Sequence, residues 1–439
     1  MDNRNPTEST ALLTDFYELT MSLAALNAGT AHRQTTFELF ARKLPEGRRY
    51  GVVAGTSRMI EAVENFRFTE DQLSYLSRQK VISPEILNEL KNFRFRGTIH
   101  AYPDGELYFP YSPVVTVEGI FLECVLLETL LLSIYNHDSA IASAASRMVE
   151  ATQNKFSLIE MGSRRTHEAA AVDAARIAYV NGFGSTSNVE AGFRHGIPIS
   201  GTSAHAFTLS FGDEREAFAA QVAALGTATT LLVDTYDIPQ GIRNAIEVAG
   251  PQLGAIRIDS GDLVEETFRA RALLDSLGAT ETKIILSSDM DEYSLDRLLK
   301  AGAPVGGAGV GTRLVTGSGH PTASMVYKLV EREASNGEMV PVAKKAEGKK
   351  SIGGRKFPYR TVSEDGVYTA EIFQNRAENG TEPAGNDMVH FPSKPLEQLA
   401  ELTIQDDRIN AQRNRDMLPE AVKTVEPGES YLVARPQGE

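Results

Sequence analysis

Residues 230–237 (TLLVDTYD), 255–262 (AIRIDSGD) and 283–291 (KIILSSDMD) have the same form, in which a short apolar run is followed by a polar turn containing aspartate. The form recurs between Phe156 and Gly311, and an amphipathic stretch follows each turn. This alternation is typical of βα units. We predict strands at the apolar runs Phe156–Ile159, Ala178–Val180, Ile197–Ile199, Thr230–Val233, Ala255–Ile258, Lys283–Leu286 and Pro304–Val305.

The βα repeat predicts a parallel sheet with its functional residues in the loops after the strands. Polar residues follow the predicted strands, and βα-barrel enzymes build their sites from these loops. We therefore expect an α/β barrel, with an open doubly wound sheet as the alternative.

The sequence on either side of the repeat has a different organisation. Thr35–Phe40 and Gly97–Tyr102 read as strands among helices such as Ala11–Ala28, which indicates a separate α+β domain. After Lys328 come a basic, glycine-bearing stretch from Lys344 to Arg360 and a polar helix around Leu396–Leu402. We predict an N-terminal α+β domain (1–135), a barrel domain (136–328) and a C-terminal segment (329–439) that packs on the N-terminal domain.

Composition excludes several classes of function. The net charge of -14 opposes nonspecific attraction to nucleic acid. Cys124 is the only cysteine, so an intrachain disulfide or multi-cysteine metal site is excluded, and its apolar surroundings indicate a core position. The longest strongly apolar run, Val125–Ile134, contains Glu128 and falls short of the roughly 20 residues that span a bilayer. We expect a soluble, cytoplasmic protein with no membrane or nucleic-acid partner.

His205 is the strongest candidate for chemistry. It follows SGTSA (200–204) at a predicted strand end, where a turn can expose an imidazole and backbone N–H groups together. A neutral imidazole nitrogen can attack a phosphoryl group while a carboxylate orients the other ring nitrogen. Asp234, at the next strand end, is the candidate carboxylate. The alternative is a histidine that is merely hydrogen-bonded at a barrel mouth.

Three other groups are candidates for binding anions, ribose or metal. Gly307, Gly309 and Gly311, followed by Thr312, predict a loop whose backbone N–H groups can approach a phosphate, although a structural glycine turn fits equally well. Arg164 and Arg165 can hold a carboxylate or phosphate in bidentate geometry, although paired arginines usually face solvent. The turn Asp259–Asp262 can bind ribose hydroxyls or magnesium, although such a string is more often a helix cap.

Taken in order, these segments closely resemble the nicotinate phosphoribosyltransferase family. The resemblance covers nearly the whole chain. The matching strings are TDFYELTM (14–21), FELFARK (37–43), EMGSRR (160–165), GSTSNV (184–189), GTSAH (201–205), DTYD (234–237), RIDSGD (257–262), GVGT (309–312) and YKLVE (327–331).

The resemblance implies an irregular TIM-like α/β barrel of the type II phosphoribosyltransferases, plus an α+β domain formed by N- and C-terminal segments. It also implies a homodimer with shared active sites. The implied roles are phosphorylation by ATP for His205, orientation of this histidine for Asp234, phosphoribosyl binding for Arg257, Asp259 and Ser260, 5′-phosphate binding for Gly309, Gly311 and Thr312, and nicotinate binding for Tyr17 (from the partner subunit), Arg164 and Ser187.

The implied reaction joins nicotinate to phosphoribosyl pyrophosphate in NAD salvage, with ATP and Mg²⁺ as co-substrate or activator. Two alternatives remain. Nicotinamide phosphoribosyltransferase is the nearer one, but Ser187 stands where relatives specific for the amide have Asp, and a serine hydroxyl can donate to a carboxylate. A catalytically silent nucleotide-binding sensor on the same fold is the other. The sequence departs from the family pattern at two places. Met161 stands where relatives often have an aromatic residue. The segment 317–325 (GSGHPTASM) is an unusual version of the family sequence, and we assign no role to its His320.

Overall fold

The computed structural model describes residues 9–79, 82–344, 351–375 and 389–438. Part of the basic stretch 344–360 therefore lies outside the described residues.

The helices have the following bounds: α1 (Phe16–Asn27), α2 (Thr56–Glu64), α3 (Glu70–Ser77), α4 (Pro84–Lys91), α5 (Phe121–Val125), α6 (Glu128–Thr152), α7 (Glu168–Val180), α8 (Val189–His195), α9 (His205–Leu209), α10 (Glu214–Leu225), α11 (Ile238–Ala249), α12 (Leu263–Ser276), α13 (Glu292–Lys300), α14 (Thr312–Val315), α15 (Leu396–Ala400) and α16 (Ile404–Asp416). Turns of 3-10 helix lie at Ala11–Leu13, Ser163–Arg165 and Gly317–Gly319. As far as the chain is described, no helix is long and apolar enough to cross a membrane.

The strands have the following bounds: β1 (Gln34–Ala41), β2 (Gly51–Val52), β3 (Thr98–Ala101), β4 (Leu107–Tyr108), β5 (Val115–Ile120), β6 (Ser157–Glu160), β7 (Ser185–Thr186), β8 (Thr230–Leu232), β9 (Ala255–Ile258), β10 (Lys283–Ser287), β11 (Gly307–Val310), β12 (Met325–Glu333), β13 (Met339–Pro341), β14 (Lys356–Val362), β15 (Tyr368–Asn375), β16 (Val389–His390), β17 (Lys394–Pro395) and β18 (Arg435–Pro436).

The chain divides into two compact units. The first comprises residues 1–140, 322–422 and 426–439, and the second comprises 141–321 and 423–425. The limits predicted from the sequence differ from these by a few residues, and as domain limits they stay a prediction.

The second unit is built on a curled parallel sheet with the strand order β7-β6-β11-β10-β9-β8. Its central strands are short and mostly apolar, and most of their residues are buried, as is typical of parallel sheets. Helices follow the strands, so the α/β barrel prediction is confirmed as an incomplete barrel.

Three of the predicted strands in this unit are wrong or displaced. Ala178–Val180 forms the end of α7 rather than a strand, since a short apolar run does not distinguish a buried helix from a buried strand. Ile197–Ile199 contributes only a single bridge, from Ile199 to Thr186. Pro304–Val305 lies just before the observed strand, β11 (Gly307–Val310). That strand is formed by the glycine-rich segment that we expected to be a loop.

The first unit contains a six-stranded sheet with the order β13-β12-β1-β5-β3-β17 and a four-stranded sheet with the order β16-β14-β15-β18. Segments distant in sequence pair within it, since β1 runs antiparallel to β12 and β17 pairs with β3. The predicted α+β domain formed by N- and C-terminal segments is thus confirmed. Cys124 is buried in its apolar core, and burial is the largest cause that raises the pKa of this thiol to about 12.

A charged network lies buried in the first unit. The guanidinium of Arg360 is fully buried and pairs with Glu106 (Nη1 to Oε1, 2.5 Å) and with Glu371 (Nε to Oε2, 2.7 Å). His390 Nε2 lies 2.9 Å from Glu106 Oε2. Burial opposes ionisation of Glu106, but His390 and Arg360 outweigh it and lower the pKa of this carboxyl to about 2. The network links residues before and after the barrel region of the chain.

Candidate active site

The carboxyl ends of β8, β9 and β10 bring polar side chains to one edge of the parallel sheet. Asp234 follows β8, Asp259 directly follows β9, and Ser287 ends β10. Asp234 Oδ2 accepts hydrogen bonds from the Asp259 backbone N–H (2.8 Å) and from the Ser260 hydroxyl (2.9 Å). The Asp234 side chain is 1% exposed, so these bonds fix a carboxylate in the edge of the sheet.

His205 lies beside this carboxylate, as the sequence predicts. It is the first residue of α9, and its side chain is 42% exposed. Its Nε2 lies 3.9 Å from Asp234 Oδ1, and its Nδ1 lies 3.2 Å from the Thr235 hydroxyl oxygen. Asp234 Oδ1 is buried and has no hydrogen-bond partner among the described residues. This oxygen can therefore accept a hydrogen bond from a protonated imidazole nitrogen if the His205 ring moves slightly closer.

Arg257 supplies a positive charge at this edge of the sheet. Its Nε donates to the Ser287 hydroxyl (2.7 Å), and Nη1 donates to the Thr202 hydroxyl (2.9 Å). Nη2 lies 3.6 Å from Asp259 Oδ2, and the side chain is 12% exposed. A guanidinium held at several atoms is pre-organised for a planar or phosphate-bearing anion.

Arg164 and Ser187 lie on two adjoining turns. Arg164 is in the 3-10 turn after β6, Ser187 follows β7, and both residues are exposed. Strands β6 and β7 are paired, with Glu160 opposite Thr186. The structure therefore places the turns that carry these two predicted nicotinate-binding residues at neighbouring strand ends.

The glycine-rich segment differs from the prediction. Gly307–Val310 is the buried central strand β11, so Gly309 lies in a strand and not in a loop. A Cβ added to Gly309 would lie 2.4 Å from Met161 Sδ. Only glycine therefore fits at this position without a shift of Met161. Gly311 follows the strand and precedes α14, Thr312 is the first residue of α14, and their phosphate-binding role stays a prediction.

Tyr17 belongs to the other unit. It lies in α1 and is 44% exposed. Partial burial and then the charge of Glu128 raise the pKa of the Tyr17 hydroxyl to about 12. Its expected contribution to a partner subunit's site stays a prediction.

Sequence reasoning missed several residues that shape the site. Thr235 faces the imidazole, while Thr202 and Ser287 hold Arg257. All three are common polar residues inside the quoted strings, and only their positions at strand ends could have singled them out. Glu160 was quoted in a string but given no role.

A resident metal centre is not apparent in the described residues, where no group of three or more His, Cys, Asp or Glu side chains could hold a metal ion. Asp234 and Asp259 offer carboxylate oxygens, the ligand type that Mg²⁺ prefers, and the expected involvement of Mg²⁺ stays a prediction.

Comparisons with known proteins agree with this fold. The crystal structure of human nicotinic acid phosphoribosyltransferase superimposes with a TM-score of 0.79 at 26% identity, covering 96% of this chain and 97% of that one. A nicotinate-nucleotide pyrophosphorylase from Pyrococcus furiosus shares the fold, with a TM-score of 0.75 at 23% identity and coverage of 95% and 99%. The class of the protein is that of the type II phosphoribosyltransferases.

Sequence comparisons define the family. Residues 12–136 match the model of the nicotinate phosphoribosyltransferase N-terminal domain. The chain is 56% identical over 379 residues to nicotinate phosphoribosyltransferase pncB1 of Mycobacterium tuberculosis, covering 84% of this chain and 82% of that protein. It is 39% identical over 366 residues to the nicotinate phosphoribosyltransferase of Bacillus subtilis, covering 81% and 74%. The chain belongs to the nicotinate phosphoribosyltransferase family.

Proposed function

We propose that this protein transfers the phosphoribosyl group of phosphoribosyl pyrophosphate to the ring nitrogen of nicotinate, forming nicotinate mononucleotide and pyrophosphate in NAD salvage. We further propose that ATP drives this transfer through a phosphohistidine at His205. The family supports the first part. The observation that carries the second is the buried Oδ1 of Asp234, which lies 3.9 Å from His205 Nε2 and accepts no hydrogen bond from any residue that the structure describes.

The imidazole and carboxylate suit phosphoryl transfer. Asp234 favours the tautomer with the proton on Nε2, which leaves the lone pair on Nδ1. Nδ1 then attacks the γ-phosphorus of ATP, the bond to the bridging oxygen breaks, and ADP leaves with that electron pair. The Thr235 hydroxyl, now 3.2 Å from Nδ1, would turn to the new phosphoryl group. Water later hydrolyses the phosphohistidine, and this step draws the transfer towards product.

The ribosyl step depends on positioning and charge. As pyrophosphate leaves, positive charge develops on the sugar, and fixed groups that match it lower the barrier. Arg257 would hold phosphate oxygens, and Asp259 and Ser260 would hold the sugar. Gly311 and Thr312, which follow the buried strand containing Gly309, would receive the 5′-phosphate. Mg²⁺ would enter with ATP and phosphoribosyl pyrophosphate and offset their negative charge.

Exposed apolar surface supports a homodimer with shared sites. In the first unit Leu13, Phe16 and Tyr17 are 60%, 53% and 44% exposed, while in the second Val189 and Phe193 are each 69% exposed beside the Ser187 turn. Clustered exposed apolar groups mark interaction surfaces. In a dimer, Tyr17 of one subunit would cover the pyridine ring held by Arg164 and Ser187 of the other. We propose a cytoplasmic enzyme whose partners are these small molecules and a second copy of itself.

The test is product formation by the purified protein. With phosphoribosyl pyrophosphate, Mg²⁺ and ATP, we expect nicotinate mononucleotide from nicotinate and far less product from nicotinamide. Equal or better use of nicotinamide would favour the amide-specific alternative. No mononucleotide from either ring, with nucleotide binding retained, would favour the silent sensor.

A further inference from the structure

Glu160 is a buried carboxylic acid without a role in the mechanism above. It is the last residue of β6 and is 1% exposed. Burial is the largest influence on it and raises the pKa of its carboxyl, against the hydrogen bonds from Thr186 and Gly162. Burying a carboxyl group costs free energy unless hydrogen bonds compensate for the lost contact with water, so the contacts of Glu160 need an explanation.

Those contacts join two turns. One carboxylate oxygen, Oε1, accepts from the Gly162 backbone N–H, at the start of the turn that carries Arg164. The other, Oε2, accepts from the Thr186 hydroxyl at 2.5 Å, at the end of β7. The Glu160 carbonyl accepts from the Ser187 backbone N–H at 2.8 Å. One residue thus binds the backbone or side chain of both turns.

A second path closes the link. The Thr186 hydroxyl oxygen also accepts from the Asn188 backbone N–H (2.9 Å), and the Asn188 side-chain amide donates to the Ser163 hydroxyl (3.0 Å). Ser163 is adjacent to Arg164, so the hydrogen bonds form a ring that passes from Glu160 through both turns and back. Such a ring restricts the distance between Arg164 and Ser187.

Steric packing holds the first turn from its other side. A Cβ added to Gly162 would lie 2.2 Å from Val315 Cγ1 and 3.0 Å from Glu160 Oε1. The turn therefore has little room to shift without losing its bond to Glu160. Because of this packing, the Glu160 carboxyl group holds Gly162 and Thr186 at a fixed separation.

We propose that Glu160 is a positioning residue for the nicotinate carboxylate, because it sets the spacing of Arg164 and Ser187 through Gly162 and Thr186. The inference rests on the proposed function, in which these two residues bind the ring. Glu160 itself is not expected to touch the substrate. Its partners are neutral, so geometry rather than its charge should matter.

The experiment compares paired variants of the full-length protein. Glu160→Ala removes both bonds, whereas Glu160→Gln keeps an acceptor for Gly162 and a polar group facing Thr186. Thr186→Val removes the hydroxyl at constant shape, whereas Thr186→Ser keeps it. We would measure KM for nicotinate, KM for phosphoribosyl pyrophosphate, kcat and labelling of His205 by ATP, together with thermal unfolding.

We expect Glu160→Ala and Thr186→Val to raise KM for nicotinate by about tenfold or more, because misplaced polar groups lose much of their discrimination. KM for phosphoribosyl pyrophosphate and His205 labelling should stay within about twofold, and Glu160→Gln and Thr186→Ser should stay near wild type. If Glu160→Ala does not fold, the Thr186 pair carries the test.

Two results would overturn the inference. In the first, folded variants keep the wild-type KM for nicotinate. In the second, both KM values rise together, as a general loss of structure would cause. Either result leaves the proposed function standing if the wild-type protein makes nicotinate mononucleotide. An inactive wild type would instead reject the proposed function, and the inference with it.

Discussion

Ser187 is the single side chain that best separates an acid-binding from an amide-binding ring site. It is exposed in the turn after β7, with its backbone N–H fixed on the Glu160 carbonyl. Ser187→Asp places a negative charge where the nicotinate carboxylate is expected, so KM for nicotinate should rise by about tenfold or more. Ser187→Ala, which only removes a donor, should cost less. An unchanged KM in Ser187→Asp would show that Ser187 is remote from the ring.

The sequence predicted which residues would lie together where a chemical role and a strand end coincide. His205 and Asp234 were identified in this way, whereas Arg257 came from the family resemblance. The structure brings all three to one sheet edge, and their roles stay predictions. Thr235 could not be identified, because a threonine becomes informative only when its hydroxyl is seen to face an imidazole. Glu160 was missed because its importance lies in joining turns that are far apart in sequence.

Helix α11 packs against the end of β8 at a glycine, directly beside Asp234. A Cβ on Gly241 would lie 2.2 Å from the Val233 carbonyl oxygen, which belongs to the backbone and cannot rotate away. Although alanine favours helices over glycine, Gly241→Ala should lower the free energy of unfolding by about 1–3 kcal/mol through overpacking. Urea denaturation measures this change.

The matched control for Gly241 is Gly212→Ala. At Gly212 the nearest atom is Glu216 Oε2, 4.0 Å from an added Cβ, so stability should change little. Equal effects of the two substitutions would contradict close packing at α11. Since Val233 precedes Asp234, Gly241→Ala should also reduce ATP stimulation.

The elements themselves were predicted unevenly. Ala255–Ile258 matches β9 because a strand with β-branched residues and a polar turn after it gives a clear pattern. The glycine strand β11 could not be recognised, because its sequence lacks the side chains by which strands are identified. Its strand character depends on neighbours such as Met161, which occupies the space above Gly309.

Buried ion pairs link the N- and C-terminal segments of the chain. The pKa of Glu106 in the folded protein is about 2, below its ordinary value of 4.5. Between these two pH values the unfolded chain therefore binds more protons than the folded protein. The ionised Glu106 carboxylate thus contributes to the free energy of unfolding above about pH 4.5, and this contribution is lost as the pH falls towards 2. It should amount to about 3 kcal/mol at most.

Urea titrations at several acidic pH values would measure that contribution. Glu106→Gln should be less stable than wild type at pH 7 and should lose less stability between pH 4.5 and 2. If the free energy of unfolding fell by the same amount in the wild type and in Glu106→Gln over this pH range, Glu106 would not contribute to the acid dependence of stability.

Assembly can be tested by mixing subunits that carry different defects. If Tyr17 acts in the partner's site, Tyr17→Ala and His205→Ala proteins should each be impaired, and hybrid dimers should contain one intact site. Some ATP-stimulated activity should then return after subunit exchange. No recovery despite demonstrated exchange would contradict a shared site.

Labelling with γ-³²P ATP tests the central claim most directly. We expect an acid-labile, alkali-stable phosphate on His205, because a phosphoramidate hydrolyses once its nitrogen is protonated. His205→Ala should abolish the label and ATP stimulation yet retain some ATP-independent transfer, and Asp234→Asn should weaken labelling by disturbing the tautomer. A phosphate mapped to another residue, with normal ATP stimulation in His205→Ala, would contradict the account.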